Sequence, residues 1–205
     1  MKGKFITLEG SEGSGKSTQS ALIVEYLKKA GHDVLQLREP GGVKISEAIR
    51  NLLLDVKNTD MSSECETLLY MAARAQIVKE VITPALSVGK IIVCDRFLDS
   101  TIVYQGYGNG VDIDLIKRLG KFATSGITPD ITLLFDIETE EGLSRTNATK
   151  DRIELRPLEY HKNVRRGYLE LAAQDPIRIK VIKVDAPKEE IFKRVKPYID
   201  GVLMP

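Results

Sequence analysis

Short runs of apolar, often β-branched residues alternate along the chain with longer stretches of helical periodicity. Lys4–Leu8, Val34–Arg38, Ile91–Asp95, Ile131–Asp136 and Lys180–Val184 have the length and composition of buried strands. Lys16–Ala30, Ile45–Leu54, Glu64–Ser87, Asp112–Thr124, Pro157–Ala173 and Lys188–Ile199 read as helices, and Gly31 supplies a stop for the first of them. This alternation predicts an α/β fold: a five-stranded parallel sheet with helices on both faces. Ligands of such sheets bind beyond the carboxyl ends of the strands. Motifs at those ends are therefore weighed as functional, and motifs elsewhere as packing.

Composition narrows the picture further. The 205 residues suit one well-packed domain spanning 1–205, and no repeat, low-complexity tract or linker divides them. The 30 basic and 29 acidic residues nearly cancel, which argues against a uniformly basic nucleic-acid-binding surface. No stretch approaches the ~20 apolar residues of a membrane span. The first strand runs straight into a glycine-rich turn, unlike a signal peptide. Cys65 and Cys94 sit among apolar residues without metal-like spacing and read as small core residues, so a cytoplasmic chain is expected.

The first strand end carries the strongest motif. Gly10-Ser11-Glu12-Gly13-Ser14-Gly15-Lys16-Ser17, followed by Thr18, is a complete phosphate-binding loop between a strand and a helix. Its glycines let successive N–H groups turn toward phosphate oxygens, assisted by the dipole of the following helix. Lys16 is placed for the β/γ-phosphates and Ser17 for Mg²⁺. The expected ligand is a nucleoside triphosphate with Mg²⁺.

Three more strand ends add chemistry. Asp95 closes the apolar run Ile91–Cys94, as a carboxylate serving Mg²⁺ should, and Arg96 beside it suits a second phosphate; a buried Asp–Arg pair serving structure alone is the alternative. The second strand ends in Arg38-Glu39-Pro40-Gly41-Gly42, and the fourth, at Asp136, precedes a charged, turn-rich stretch from Arg145 to Arg156. Arg74 lies one helical turn from Tyr70, a ring and guanidinium that suit a stacked base as well as a core tyrosine with a snorkelling arginine. Tyr104 and Gln105, taken alone, read as helix-surface residues, yet a glutamine can donate and accept at a base edge. Arg145, Lys150, Arg152 and Arg156 read either as a solvated loop or as a mobile basic flap at about 144–157 that excludes water during phosphoryl transfer. Gly13 leaves the phosphate loop without an arginine, so a further cation is expected from elsewhere. His32 reads as solvated and His161 as a capping or packing residue.

Together these segments resemble the thymidylate kinases of bacterial type, from about Lys4 to at least Tyr168. The carriers are Glu9–Ser17, Arg38–Gly42, Leu69–Arg74, Asp95–Phe97, Asp99–Gly106, Pro129-Asp130 and Asp151-Arg152 before Tyr160-His161. The resemblance implies a phosphate-loop nucleotide kinase fold, transfer of the γ-phosphoryl of MgATP to dTMP, and a homodimer. It implies that Lys16, Arg96, Arg152, Asp95 and Glu12 carry the transfer. Residues 10–18 with Arg145 would serve ATP, and Ser17, Asp95 and Glu39 would serve the metal. Glu12, Arg38, Glu39, Tyr70, Arg74, Arg96, Thr101, Tyr104 and Gln105 would hold dTMP. Two departures stand out: Tyr70 replaces the family's usual phenylalanine, and Phe97 a common tyrosine. Competing readings are a kinase for another pyrimidine nucleotide or deoxynucleoside, and a non-enzymatic nucleotide switch.

Overall fold

The computed structural model describes residues 3–146 and 150–204; positions 147–149 of the flap lie outside the described residues. Five strands, β1 (Lys4–Glu9), β2 (Val34–Arg38), β3 (Ile91–Asp95), β4 (Ile131–Asp136) and β5 (Ile179–Lys183), form one parallel sheet in the order β2-β3-β1-β4-β5. Strand order reverses at β1, so the crevice for a ligand opens at its carboxyl end. The predicted strands are therefore present to within a residue at either end.

Alternation along β1 supplies both faces. Ile6 and Leu8 pack with Ile23 and Leu27 of α1 (Lys16–Lys29) and with Ile191, Val195 and Ile199 of α9 (Lys188–Leu203). Phe5 points the other way, toward Ile92, Cys94, Ile77 and Ile82. Buried Thr7 and Thr132 share a hydroxyl–hydroxyl bond of 2.8 Å where β1 meets β4. A third cluster joins Leu134 to Val164, Tyr168 and Leu171 of α8 (Leu158–Gln174). The remaining predicted helices are α2 (Lys44–Leu54) and α6 (Ile113–Ala123).

The predicted helix Glu64–Ser87 is two helices, α3 (Ser63–Ile77) and α4 (Thr83–Ser87), joined by a π-helical turn at Val78–Ile82. Pro84 in the first turn of α4 has no N–H to donate, and a widened turn relieves the ladder there. Two short helices escaped the periodicity because they hold too few turns to show it: α5 (Leu98–Thr101), continued by a π-helical turn Ile102–Gly108, and α7 (Thr139–Ser144). Cys94 is buried as expected, whereas Cys65 is exposed in the first turn of α3, beside the capping Ser62.

Candidate active site

The phosphate loop leaves β1 through backbone conformations that only glycine adopts easily. Gly10, Gly13 and Gly15 have φ of 145°, 68° and 78°. Space is as restrictive as torsion: a Cβ at Gly13 would lie 1.9 Å from the carbonyl oxygen of Gly142 in α7. No arginine fits at that position while α7 stays in place. The loop's missing guanidinium is thus a consequence of backbone contact with the helix from which the flap departs.

Lys16 folds back on its own loop, its Nζ donating to the Gly10 and Ser11 carbonyls at 3.0 and 2.9 Å and to Ser14 Oγ at 3.2 Å. Burial, then the neighbouring Arg96, pulls its ammonium down to about 8, against the pull of Glu12 and Asp95. Ser17 and Thr18 stand exposed at the loop's mouth, and Ser17 Oγ donates to Asp95 Oδ2 at 2.8 Å. This pair of hard oxygen donors fits a Mg²⁺ that keeps several waters and meets the nucleotide's phosphates.

Arg96 joins this loop to a second pocket. It holds φ of 71°, a left-handed conformation uncommon for a side-chain-bearing residue and frequent where function requires it. From there Nη2 donates to Glu12 Oε1 at 2.8 Å and Nη1 to the Gly10 carbonyl at 3.2 Å, while the guanidinium lies 4.9 Å from the Tyr104 ring centre. Tyr104 also donates to Glu12 Oε1, at 2.8 Å. Burial pushes the Glu12 carboxyl up, but Arg96, Lys16 and Tyr104 together hold it down at about 2. Glu12 is therefore an anion poised between the two pockets.

The pocket beside it is lined by Glu12, Glu39, Tyr70, Arg74, Arg96, Thr101, Tyr104 and Gln105, so eight of the nine residues expected for the acceptor converge on one cavity. The π-helical turn contributes: its wider pitch lets adjacent Tyr104 and Gln105 both face inward below Thr101. Arg74 is buried, not snorkelling, and is fixed by Glu39 Oε2 (2.8 Å), Thr101 Oγ1 (3.0 Å) and the Phe97 carbonyl (2.9 Å).

Other expected positions differ. Arg38 is turned to Glu47, with Nη2 at 3.0 and 3.1 Å from the two carboxylate oxygens, and does not line the pocket. Glu39 faces Arg74 in place of the Ser17–Asp95 pair, and its Oε1 has no partner among the described residues. Burial raises its carboxyl above the usual range. Arg145 bonds Glu141 at 2.6 Å on an exposed surface. Arg152 is the clearest departure: it is buried, with Nη2 2.6 Å from Glu66 Oε2 and Nε donating to the Leu53 carbonyl at 2.8 Å. Its neighbours Asp151 and Ile153 line the acceptor pocket instead.

Several organising residues had no assigned role in the sequence reading. Glu9, fully buried at the end of β1, accepts from the Phe97 N–H (2.7 Å), Ser100 Oγ (2.5 Å) and Tyr168 (2.8 Å), bracing the turn that carries Arg96. Burial, with Asp99 adding to it, raises its carboxyl to about 7. Glu66 precedes Tyr70 and Arg74 by one and two helical turns, a spacing that could have marked it. Tyr168 had no such local signal, since its partners lie far away in sequence. His161 is a packing residue, buried edge-on to Tyr160.

Residues 8–195 match the sequence-family model described as Thymidylate kinase. The chain is similar to the thymidylate kinase of Clostridium novyi (strain NT), at 44% identity over 97% of this chain and 98% of that protein. It is also similar to that of Maridesulfovibrio salexigens, at 47% identity over 94% and 93%. Among solved structures it resembles the thymidylate kinase from Ehrlichia chaffeensis, with a TM-score of 0.82 and 34% identity, covering 97% of this chain and all of that one.

Proposed function

This chain belongs to the thymidylate kinase family and phosphorylates dTMP with MgATP, and we propose that the cavity beside its phosphate loop is where the acceptor is read and held. The observation that carries this assignment is the Arg96–Glu12 ion pair, which joins a phosphate loop to a cavity lined by a ring, a buried guanidinium and an amide. Tyr70 stacks on the base, Arg74 donates to its O4, and Tyr104 crowds the 2′ position of the sugar. Arg96 holds the acceptor phosphate, kept in place by Glu12.

Lys16 exchanges its loop carbonyls for the β/γ-phosphates of ATP, and the incoming anion restores the charge that burial weakens. Mg²⁺ held through Ser17 and Asp95 would neutralise charge on those phosphates. No protein base is needed, because the acceptor is itself an anion; positioning and charge neutralisation carry the rate. Asp151 and Ile153 form one wall of the site, and Arg152 between them anchors that segment to α3. Leu68 of α3 and Leu115 of α6, each exposed on one of two helices that pack together, support a homodimer. Among the described residues no helix is long and apolar enough to cross a membrane, which suits an enzyme working in the cytoplasm.

A coupled assay with dTMP, dUMP, dCMP, AMP and thymidine as acceptors tests the reading. dTMP should lead dUMP modestly, since one methyl in an apolar pocket is worth ~1–3 kcal/mol. Efficient use of AMP or of thymidine would refute it.

A further inference from the structure

Glu66 is a fully buried carboxylate whose two oxygens face different parts of the molecule. Its Oε1 accepts from Gln105 Nε2 at 2.9 Å and from Asn109 Nδ2 at 2.8 Å. Its Oε2 lies 2.6 Å from Arg152 Nη2 and 3.3 Å from Arg156 Nη2. Each oxygen thus faces only donors, and a carboxylate accepts without donating. Gln105, by contrast, carries both a donor and an acceptor on one amide, and which of them meets a ligand depends on how that amide is turned. With an acceptor-only group behind it, the amide nitrogen must face Glu66. The carbonyl oxygen is then the end left for the cavity that Gln105 lines.

That orientation has a chemical consequence. Thymine and uracil carry a donor, N3–H, on the pyrimidine edge, where cytosine carries an acceptor. We propose that Glu66 is a positioning residue for base choice: by locking the Gln105 amide it fixes the pocket's polarity for a 4-keto pyrimidine and against cytosine. The proposal rests on the reading of this cavity as the acceptor site. Its rival is that Glu66 serves only to anchor Arg152 and Arg156 at the base of the flap.

The test compares kcat/KM for dTMP and dCMP in the parent chain, in Glu66→Gln and in Glu66→Gln/Arg152→Met. The double variant removes both members of the buried pair, so the one guanidinium left without its counter-charge is that of Arg156, which is partly open to water. A glutamine at position 66 can donate or accept, which frees the Gln105 amide to turn either way. The dTMP:dCMP ratio should fall ~10-fold or more in either folded variant, the scale of one misplaced hydrogen bond. Asn109→Ala, which removes a different donor from the same oxygen, should change the ratio less than ~2-fold. An unchanged ratio alongside a general loss of turnover overturns the proposal and leaves the anchor. Should neither Glu66 variant melt cooperatively, Gln105→Leu decides, because a ratio insensitive to Gln105 overturns the proposal equally. A parent chain inactive toward dTMP would instead sink the acceptor assignment itself.

Discussion

The phosphate loop and the flap after α7 both bring cations to the same end of the sheet, by opposite means. In the loop, every partner of the Lys16 ammonium lies within six residues of it: two carbonyls and one hydroxyl of the same turn. In the flap, Arg152 reaches a carbonyl 99 residues away and a carboxylate on α3. The first arrangement leaves its cation with weak, neutral partners that a phosphate replaces readily. The second satisfies its cation with a buried ion pair, which is strongly destabilising to break from one side. A cation held the first way is available for chemistry; one held the second way carries structure.

The largest effect should come from the loop. Lys16→Met is expected to lower kcat by ~10³–10⁵, the range reached by a single cation on a transferring phosphoryl group. Its melting temperature should fall less than in a variant that strands a buried charge, because the lost partners are three neutral groups of one turn. Near-normal turnover of a folded Lys16→Met protein with MgATP would end the phosphate-loop assignment.

Arg152 is where the comparison is easiest to break. Removing it leaves Glu66 buried without its closest cation, so Arg152→Ala should lose about 3–5 kcal/mol of unfolding free energy in urea titrations. If stability is instead unchanged while kcat falls by ~10³ or more, the flap behaves like the loop, and Arg152 works on the phosphoryl group after leaving Glu66.

Both regions hold charged residues at readable places, and only one of them could be interpreted from spacing. Local geometry decides the loop: Gly10, Gly13 and Gly15 set the turn, and Lys16 and Ser17 follow at the start of a helix. The five strands are equally plain, since parallel strands buried on both faces read as apolar runs. Arg152 offers no local hint that its partner is Glu66, because that pair exists only once α3 and the flap are packed together. Arg38 fails for the same reason, its guanidinium taken by Glu47 across a turn. The acceptor pocket lies between these cases: most of its residues were visible as types, but only the π-helical turn that continues α5 brings Tyr104 and Gln105 to the cavity that Thr101 lines.

Acid–base behaviour sharpens the contrast within the loop's own strand. Glu12, held at about 2, binds fewer protons folded than unfolded between about 2 and its ordinary 4.5. Its contribution is present above that window and lost as pH falls through it. Glu9, raised to about 7, binds more protons folded, so stability declines as pH rises from about 4.5 to 7. Each amounts to at most about 3 kcal/mol. Unfolding free energy measured from pH 3 to 8 should flatten at the acid end in Glu12→Gln and at the neutral end in Glu9→Gln. If Glu9→Gln leaves the neutral slope intact, burial at the end of β1 does not raise the Glu9 carboxyl.

Arg145 should show the smallest effect, and it separates two kinds of flap cation. It leaves α7 exposed, pairing with Glu141 one turn earlier, and surface pairs of that spacing are worth about 0.3–0.5 kcal/mol. Arg145→Ala should therefore leave unfolding unchanged within ~0.5 kcal/mol. Among the described residues nothing buried holds this side chain, so a swing toward the nucleotide would break only an exposed ion pair, and what it gave there would be screened by water. A rise in KM for ATP of no more than ~5-fold, roughly 1 kcal/mol, with kcat little altered, fits a cation that helps gather the triphosphate. A fall in kcat beyond ~10², about 2.7 kcal/mol, would mean that the exposed arginine, not the buried one, meets the transferring group in the transition state. The flap would then divide its labour along the chain, with Arg152 holding its base to α3 and Arg145 acting at its leading edge.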